Sequence, residues 1–176
     1  MASTTARLLG ATPGLARRST TSPIGDLTVV AGPTGVRAIL VGDESALSAS
    51  VPEHSDDVAV TSLLDRAVAQ LGEYFAGRRR EFDLPLEPVG TEFQQRAWRE
   101  LRGIPFGATI SYGEQARRLG DQKASRAVGS ANGRNPIAVV VPCHRVVGAD
   151  GSLTGYASGV DRKAWLLEHE RAVAQG

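Results

Sequence analysis

The chain has 176 residues and 18.5 kDa, enough for one globular core or two small units sharing a hinge. Its 41% hydrophobic and 22% charged content, with no apolar run near the ~20 residues a bilayer span needs, excludes membrane, collagen-like and wholly disordered classes. The net charge of +1 hides an asymmetry: residues 1–90 carry 8 basic and 11 acidic side chains, residues 91–176 carry 12 and 8, and the stretch 91–149 alone carries 9 and 4. That imbalance fits either an anionic partner for the second half or ordinary surface variation.

Residues 1–21 are rich in Ala, Ser, Thr and Arg and contain no acidic residue, a composition shared by transit peptides and floppy tails. A disordered tail is the reading adopted here, with structure beginning at Ser22-Pro23-Ile24-Gly25. Leu27–Ala31 and Val36–Val41 flank Gly32-Pro33-Thr34-Gly35, a hairpin signal. Gly42 to Asp57 reads as a loop, and Ser62 to Ala76 as a helix with Leu64, Ala67, Val68, Leu71 and Phe75 at helical spacing and Gly77 as its stop. Glu81 to Leu86 is a candidate strand. Pro85 and Pro88 bracket a linker, which gives an N-terminal domain over 22–88 and a C-terminal domain over 89–176.

Thr91 and Gln94 form a capping-box pattern ahead of a helix with Phe93, Ala97 and Leu101 on one face. Ser111 and Glu114 repeat the pattern before a short helix that Gly120 stops. A second helix from about Lys123 to Asn132 completes a helix-turn-helix candidate, although any helical hairpin has the same spacing. That second helix is built of small residues around one long side chain, Arg126. It lacks the long polar side chains of a major-groove reader, so it suits close, sequence-indifferent contact with backbone and minor groove, or the approach of another helix.

Ile137–Val141 is short, apolar and β-branched and predicts a buried strand, closed by Pro142 just before Cys143, the only cysteine. A free cysteine is commonly a small buried hydrophobe. Here His144 and Arg145 adjoin it and could favour the thiolate. Glu168 and Glu170 on a C-terminal helix over Asp161–Ala172 are both available to orient the imidazole, as an activated nucleophile requires. A Cys-His hydrolase is one alternative, without an obvious oxyanion hole; a helix-turn-helix regulator or catalytically silent lesion binder is another.

Together these residues resemble the O6-alkylguanine-DNA alkyltransferase family. Pro142-Cys143-His144-Arg145-Val146 matches its active-site signature. Asn135-Pro136, Ser111-Tyr112-Gly113, Ser125-Arg126-Ala127-Val128-Gly129, Gly155-Tyr156 and Lys163–Glu170 fall in register, and Ser22–Thr28 and Tyr74–Gly77 look like its N-terminal domain. The resemblance implies an α/β fold, with a small N-terminal sheet-and-helix domain before a mostly helical C-terminal domain. It also implies irreversible, single-turnover transfer of an alkyl group from O6-alkylguanine, with O4-alkylthymine a further candidate lesion, in double-stranded DNA to Cys143. The guanine is rotated out of the stack to react.

In this reading His144 takes the thiol proton through a water and Glu170 orients it. Tyr112 donates to N3 of the departing guanine, and the carbonyls of Cys143 and Val146 accept from its exocyclic amine. Ala124, Ser125, Arg126, Ala127, Gly129 and Arg134 meet DNA, Arg126 filling the gap left by the flipped base. Asn135 is the hinge between recognition helix and active site. Tyr156, Ala157 and Ser158 line the pocket, and Ser158, where relatives often carry glycine, narrows it for large alkyl groups. One cysteine cannot build the zinc site of some members, so neither metal nor cofactor is expected. A monomer acting in the cytoplasm, away from membranes, completes the expectation.

Overall fold

The computed structural model describes residues 9, 12–42, 47 and 50–176. Residues 1–8, 10 and 11 of the expected tail and 43–46, 48 and 49 of the expected 42–57 loop lie outside these. The chain divides into two compact units, residues 1–89 and 90–176. Among the described residues no helix is long and apolar enough to cross a membrane.

In the first unit β1 (Ala16–Thr20), β2 (Leu27–Gly32) and β3 (Gly35–Val41) form an antiparallel sheet in the order β1-β2-β3. The hairpin appears as its turn residues imply, closed at the Gly32–Gly35 pair. β1 corrects the tail reading for residues 16–20. Its polar sequence carries no strand periodicity, and it is specified by its partner, with Ala16 opposite Ala31, Thr20 opposite Leu27, and the Ser19 and Thr28 hydroxyls 3.1 Å apart. Every residue of β2 is buried because the sheet is covered on both faces. α1 (Val58–Phe75) lies against the strands, and Leu9, Leu47 and Val51 join Val30 and Ala38 in a separate apolar cluster.

α1 starts four residues before the expected Ser62, because Asp57 accepts from the Ala59 amide at 2.8 Å and caps it. Gly77 ends it in the left-handed region, as expected. Glu81–Leu86 forms no strand. The side-chain amide of Gln70 occupies both the N–H and the C=O of Asp83, Pro85 has no N–H, and only Leu86 bridges to Val36.

The second unit contains α2 (Glu92–Leu101), α3 (Tyr112–Arg118), α4 (Ser125–Asn132) and α5 (Val160–Gln175), with β4 (Ile110–Ser111) parallel to β5 (Val146–Val147). The Thr91–Gln94 capping box is complete, each side chain bonded to the other's backbone N–H. Ser111 caps α3, but the Glu114 carboxylate turns instead to Arg117 and Arg118. A 3₁₀ turn at Gln122–Ala124 precedes α4, so the second helix of the pair begins two residues later than the spacing suggests. Gly90 has no side chain because a Cβ there would lie 2.4 Å from the Trp98 ring, whose N–H donates to the Ala131 carbonyl on α4.

Candidate active site

The apolar run 137–141 is buried, as its composition requires, but it is a turn and corrects the strand expectation. Asn135 makes the turn. Its Oδ1 accepts from the Ile137 amide at 3.0 Å, and its Nδ2 donates to the Val141 carbonyl at 2.8 Å and to the Cys143 sulfur at 3.3 Å. One side chain thus closes the loop and touches the thiol. Val139 sits at φ 70°, a strained conformation for a β-branched residue, within that loop. Pro142 then leads into a 3₁₀ turn over Cys143–Arg145.

Cys143 is buried, and burial pushes its thiol up; the Asn135 hydrogen bond and the positive charge of Lys163 work against that rise. The resting nucleophile is therefore a thiol that needs a base. His144 is fully buried, which lowers its pKa and keeps the ring neutral, while the hydrogen bond with Glu170 partly restores its basicity. Nε2 lies 2.8 Å from Glu170 Oε1, and Nδ1 is buried with no hydrogen-bond partner among the described residues. A carboxylate accepts only, so Nε2 carries the proton and Nδ1 is left as a free base.

Arg145 does not face the thiol. Its guanidinium grips Glu170 with Nε to Oε2 and Nη2 to Oε1, both 2.9 Å, and donates from Nη1 to the Ile104 carbonyl. The Gly107 amide also donates to Oε2. Burial works to raise the Glu170 pKa, but the bonds from His144 and Arg145 outweigh it and hold the carboxylate ionised, well below its usual range. Of the two candidate carboxylates, Glu170 reaches the histidine and Glu168 is exposed on α5.

Lys163 is the residue the sequence reading passed over. It is fully buried, and Nζ donates to the Val146 carbonyl (2.6 Å), the Thr154 carbonyl (3.0 Å) and the Tyr112 hydroxyl (3.4 Å). The Tyr112 hydroxyl in turn donates to Thr154 at 2.8 Å. Lys163, Leu166 and Glu170 recur at helical spacing and are the buried residues of α5; that periodicity was the available signal. Tyr156 has a buried hydroxyl without a hydrogen-bond partner among the described residues; Ala157 is exposed, and the Ser158 carbonyl accepts from Arg162.

On α4, Val128, Ala131 and Asn132 face inward and Arg126, Ala127 and Ser130 outward, with Ser125 and Gly129 half-buried, as is Ala124 at the end of the preceding 3₁₀ turn. A Cβ on Gly129 would meet the Tyr112 ring at an ordinary 3.8 Å, so internal packing does not demand glycine there. Arg134 is exposed and folds back onto the Ser130 carbonyl and hydroxyl.

Residues 92–172 match the family model for the 6-O-methylguanine DNA methyltransferase DNA binding domain, and residues 15–88 that for the 6-O-methylguanine DNA methyltransferase ribonuclease-like domain. A methylated-DNA–protein-cysteine methyltransferase of Mycolicibacterium paratuberculosis is 62% identical over 105 residues, covering 60% of this chain and 64% of that protein. One from Mycobacterium bovis is 50% identical over 157 residues, covering 89% and 93%. The crystal structure of Mycobacterium tuberculosis OGT in complex with DNA superposes with a TM-score of 0.79 at 45% identity, covering 90% of this chain and 94% of that one.

Proposed function

The chain belongs to the 6-O-methylguanine DNA methyltransferase family, and from that premise we propose that it reverses alkylation damage in duplex DNA by taking the alkyl group of O6-alkylguanine onto Cys143. The observation that carries this reading is the Cys143 thiol bonded to Asn135, beside a His144 whose Nε2 is committed to Glu170 and whose Nδ1 is free. In the proposed reaction His144 Nδ1 receives the thiol proton through a bridging water. The sulfur lone pair forms the S–C bond as the C–O6 bond breaks, and guanine leaves with the bonding pair. Tyr112 supplies a proton to N3 of that anion, and His144 resupplies the tyrosine through solvent. In the free protein the Tyr112 hydrogen bond points to Thr154, so this step requires the hydroxyl to turn.

We assign Val146, Tyr156, Ala157 and Ser158 to the pocket and Ala124, Ser125, Arg126, Ala127, Gly129 and Arg134 to the DNA face. The exposed position of Arg126 on α4 supports its role as the side chain that replaces the flipped base. Both tasks fall to the C-terminal domain, 89–176. We further assign a monomer, since the lesion lacks two-fold symmetry, and a cytoplasmic location. The test is transfer of labelled methyl from a duplex containing O6-methylguanine. Transfer to the wild-type protein, absent in Cys143→Ser although DNA is still bound, is the expected result. Binding without transfer in the wild type would make it a lesion binder, and repeated turnover without protein labelling would make it a hydrolase.

A further inference from the structure

Two uncharged amides are buried where three helices of the second unit meet. Gln115 of α3 is fully buried and Asn132, the last residue of α4, nearly so. Asn132 Nδ2 donates to Gln115 Oε1 at 2.7 Å, and Gln115 Nε2 donates to Asn132 Oδ1 at 3.3 Å and to the Ala97 carbonyl of α2 at 3.2 Å. The same turn of α4 is fixed again by Trp98, which donates to Ala131, and by the Asn135 amide, which donates to the Asn132 carbonyl at 3.1 Å. Asn135 is the residue that closes the nucleophile loop and touches the Cys143 sulfur.

We propose that the Gln115–Asn132 amide pair is a positioning device that sets the register between α4 and the Cys143 loop, so that a base extruded at α4 arrives in line with the sulfur. A helix end needs no such pair for stability, since apolar side chains of the same shape would fill the space at little or no net cost. Reciprocal amides differ from an apolar contact in being directional: they fix rotation and translation of α4 against α3, and sub-ångström placement governs a displacement at carbon. The inference rests on the alkyl-transfer reading above.

The test uses the full chain and two substrates that carry the same small alkyl group: duplex DNA containing O6-methylguanine, which engages α4, and free O6-methylguanine base, which needs only the pocket. Gln115→Met leaves the buried Asn132 amide without its partner, and Asn132→Leu leaves Gln115 only its bond to the Ala97 carbonyl, so each lowers Tm. The double variant removes both amides and recovers Tm. Positioning predicts that the duplex-to-free-base rate ratio falls about tenfold in each single variant and stays low in the double variant. The exchanged pair Gln115→Asn/Asn132→Gln rebuilds two amides across the gap and is expected to regain most of the ratio, which keeps the test decisive should the apolar double variant not fold. A wild-type ratio in the double variant, equal losses on both substrates, or an exchanged pair no better than the single variants would overturn the proposal. Failure of the wild type to react with either substrate would instead overturn the alkyl-transfer reading itself.

Discussion

Glu170 is buried with a full negative charge and is bonded by His144, by Arg145 through two nitrogens and by the Gly107 amide. Removing one partner of such a pair leaves an uncompensated buried charge, so Arg145→Met is expected to destabilise the fold by about 3–5 kcal/mol, measured by denaturant titration. Glu170→Gln removes the charge that supports His144 basicity. The free-base reaction of that variant should slow by about 100-fold or more, and the acid limb of its pH profile should move to lower pH. In the wild type the ring is held neutral by burial, so the rate should stay level as pH falls through about 6.5, the ordinary histidine value, and drop only below it. Stability follows the same groups. His144 and Glu170 both have lowered native pKa values, so below about pH 6.5 and about pH 4.3 respectively the unfolded chain binds protons that the native state refuses, and stability falls with acidification. Cys143 is raised, so stability falls again above about pH 8.5, where the unfolded thiol ionises first. Tm should therefore be highest between these limits, and a Tm rising steadily toward pH 5 would contradict the burial of His144.

At the scale of the element, α4 presents Arg126 outward from a body of small residues. If Arg126 fills the gap left by the extruded guanine, Arg126→Ala slows duplex repair much more than reaction with free O6-methylguanine base. Equal losses on both would reduce it to a structural residue. Thr91→Ala opens the α2 capping box and should cost about 1 kcal/mol without changing the duplex-to-free-base ratio. These helices were legible in the sequence because their signals are local: Thr91 with Gln94, Ser111 ahead of Glu114, and Gly120 at φ 89°. The loop at 137–141 was legible as buried and not as a turn, because its shape is imposed by the Asn135 side chain and by a valine in a conformation valine does not signal. β1 was missed for a related reason: Arg17, Arg18 and Ser19 become a strand only against β2. In the candidate site, Cys143 and His144 could be named from the signature and Glu170 from the Lys163–Glu170 segment that falls in register with the family. The true partner of Arg145 and the burial of Lys163 depend on carbonyls and carboxylates that folding alone brings to them.

Across the whole chain the charge separates, with an acidic excess before residue 90 and a basic excess after it. Lys123 and Arg134 are exposed cations flanking α4. If each neutralises one phosphate, raising salt from 50 to 200 mM lowers DNA affinity by about tenfold with little dependence on sequence. A salt-insensitive complex, or strong preference for one undamaged sequence, would point to a regulator. The central claim is that Cys143 is consumed by the reaction it performs. The chain has one cysteine, and a thioether carbon–sulfur bond does not hydrolyse under ordinary conditions, so nothing regenerates the acceptor. Titration of the protein with duplex DNA containing O6-methylguanine, read by intact mass and by the tryptic peptide containing Cys143, tests this most directly. One equivalent of lesion should convert one equivalent of protein, with a gain of one CH₂ unit confined to that peptide; loss of more lesions than protein molecules, or an unmodified Cys143 after repair, would contradict it.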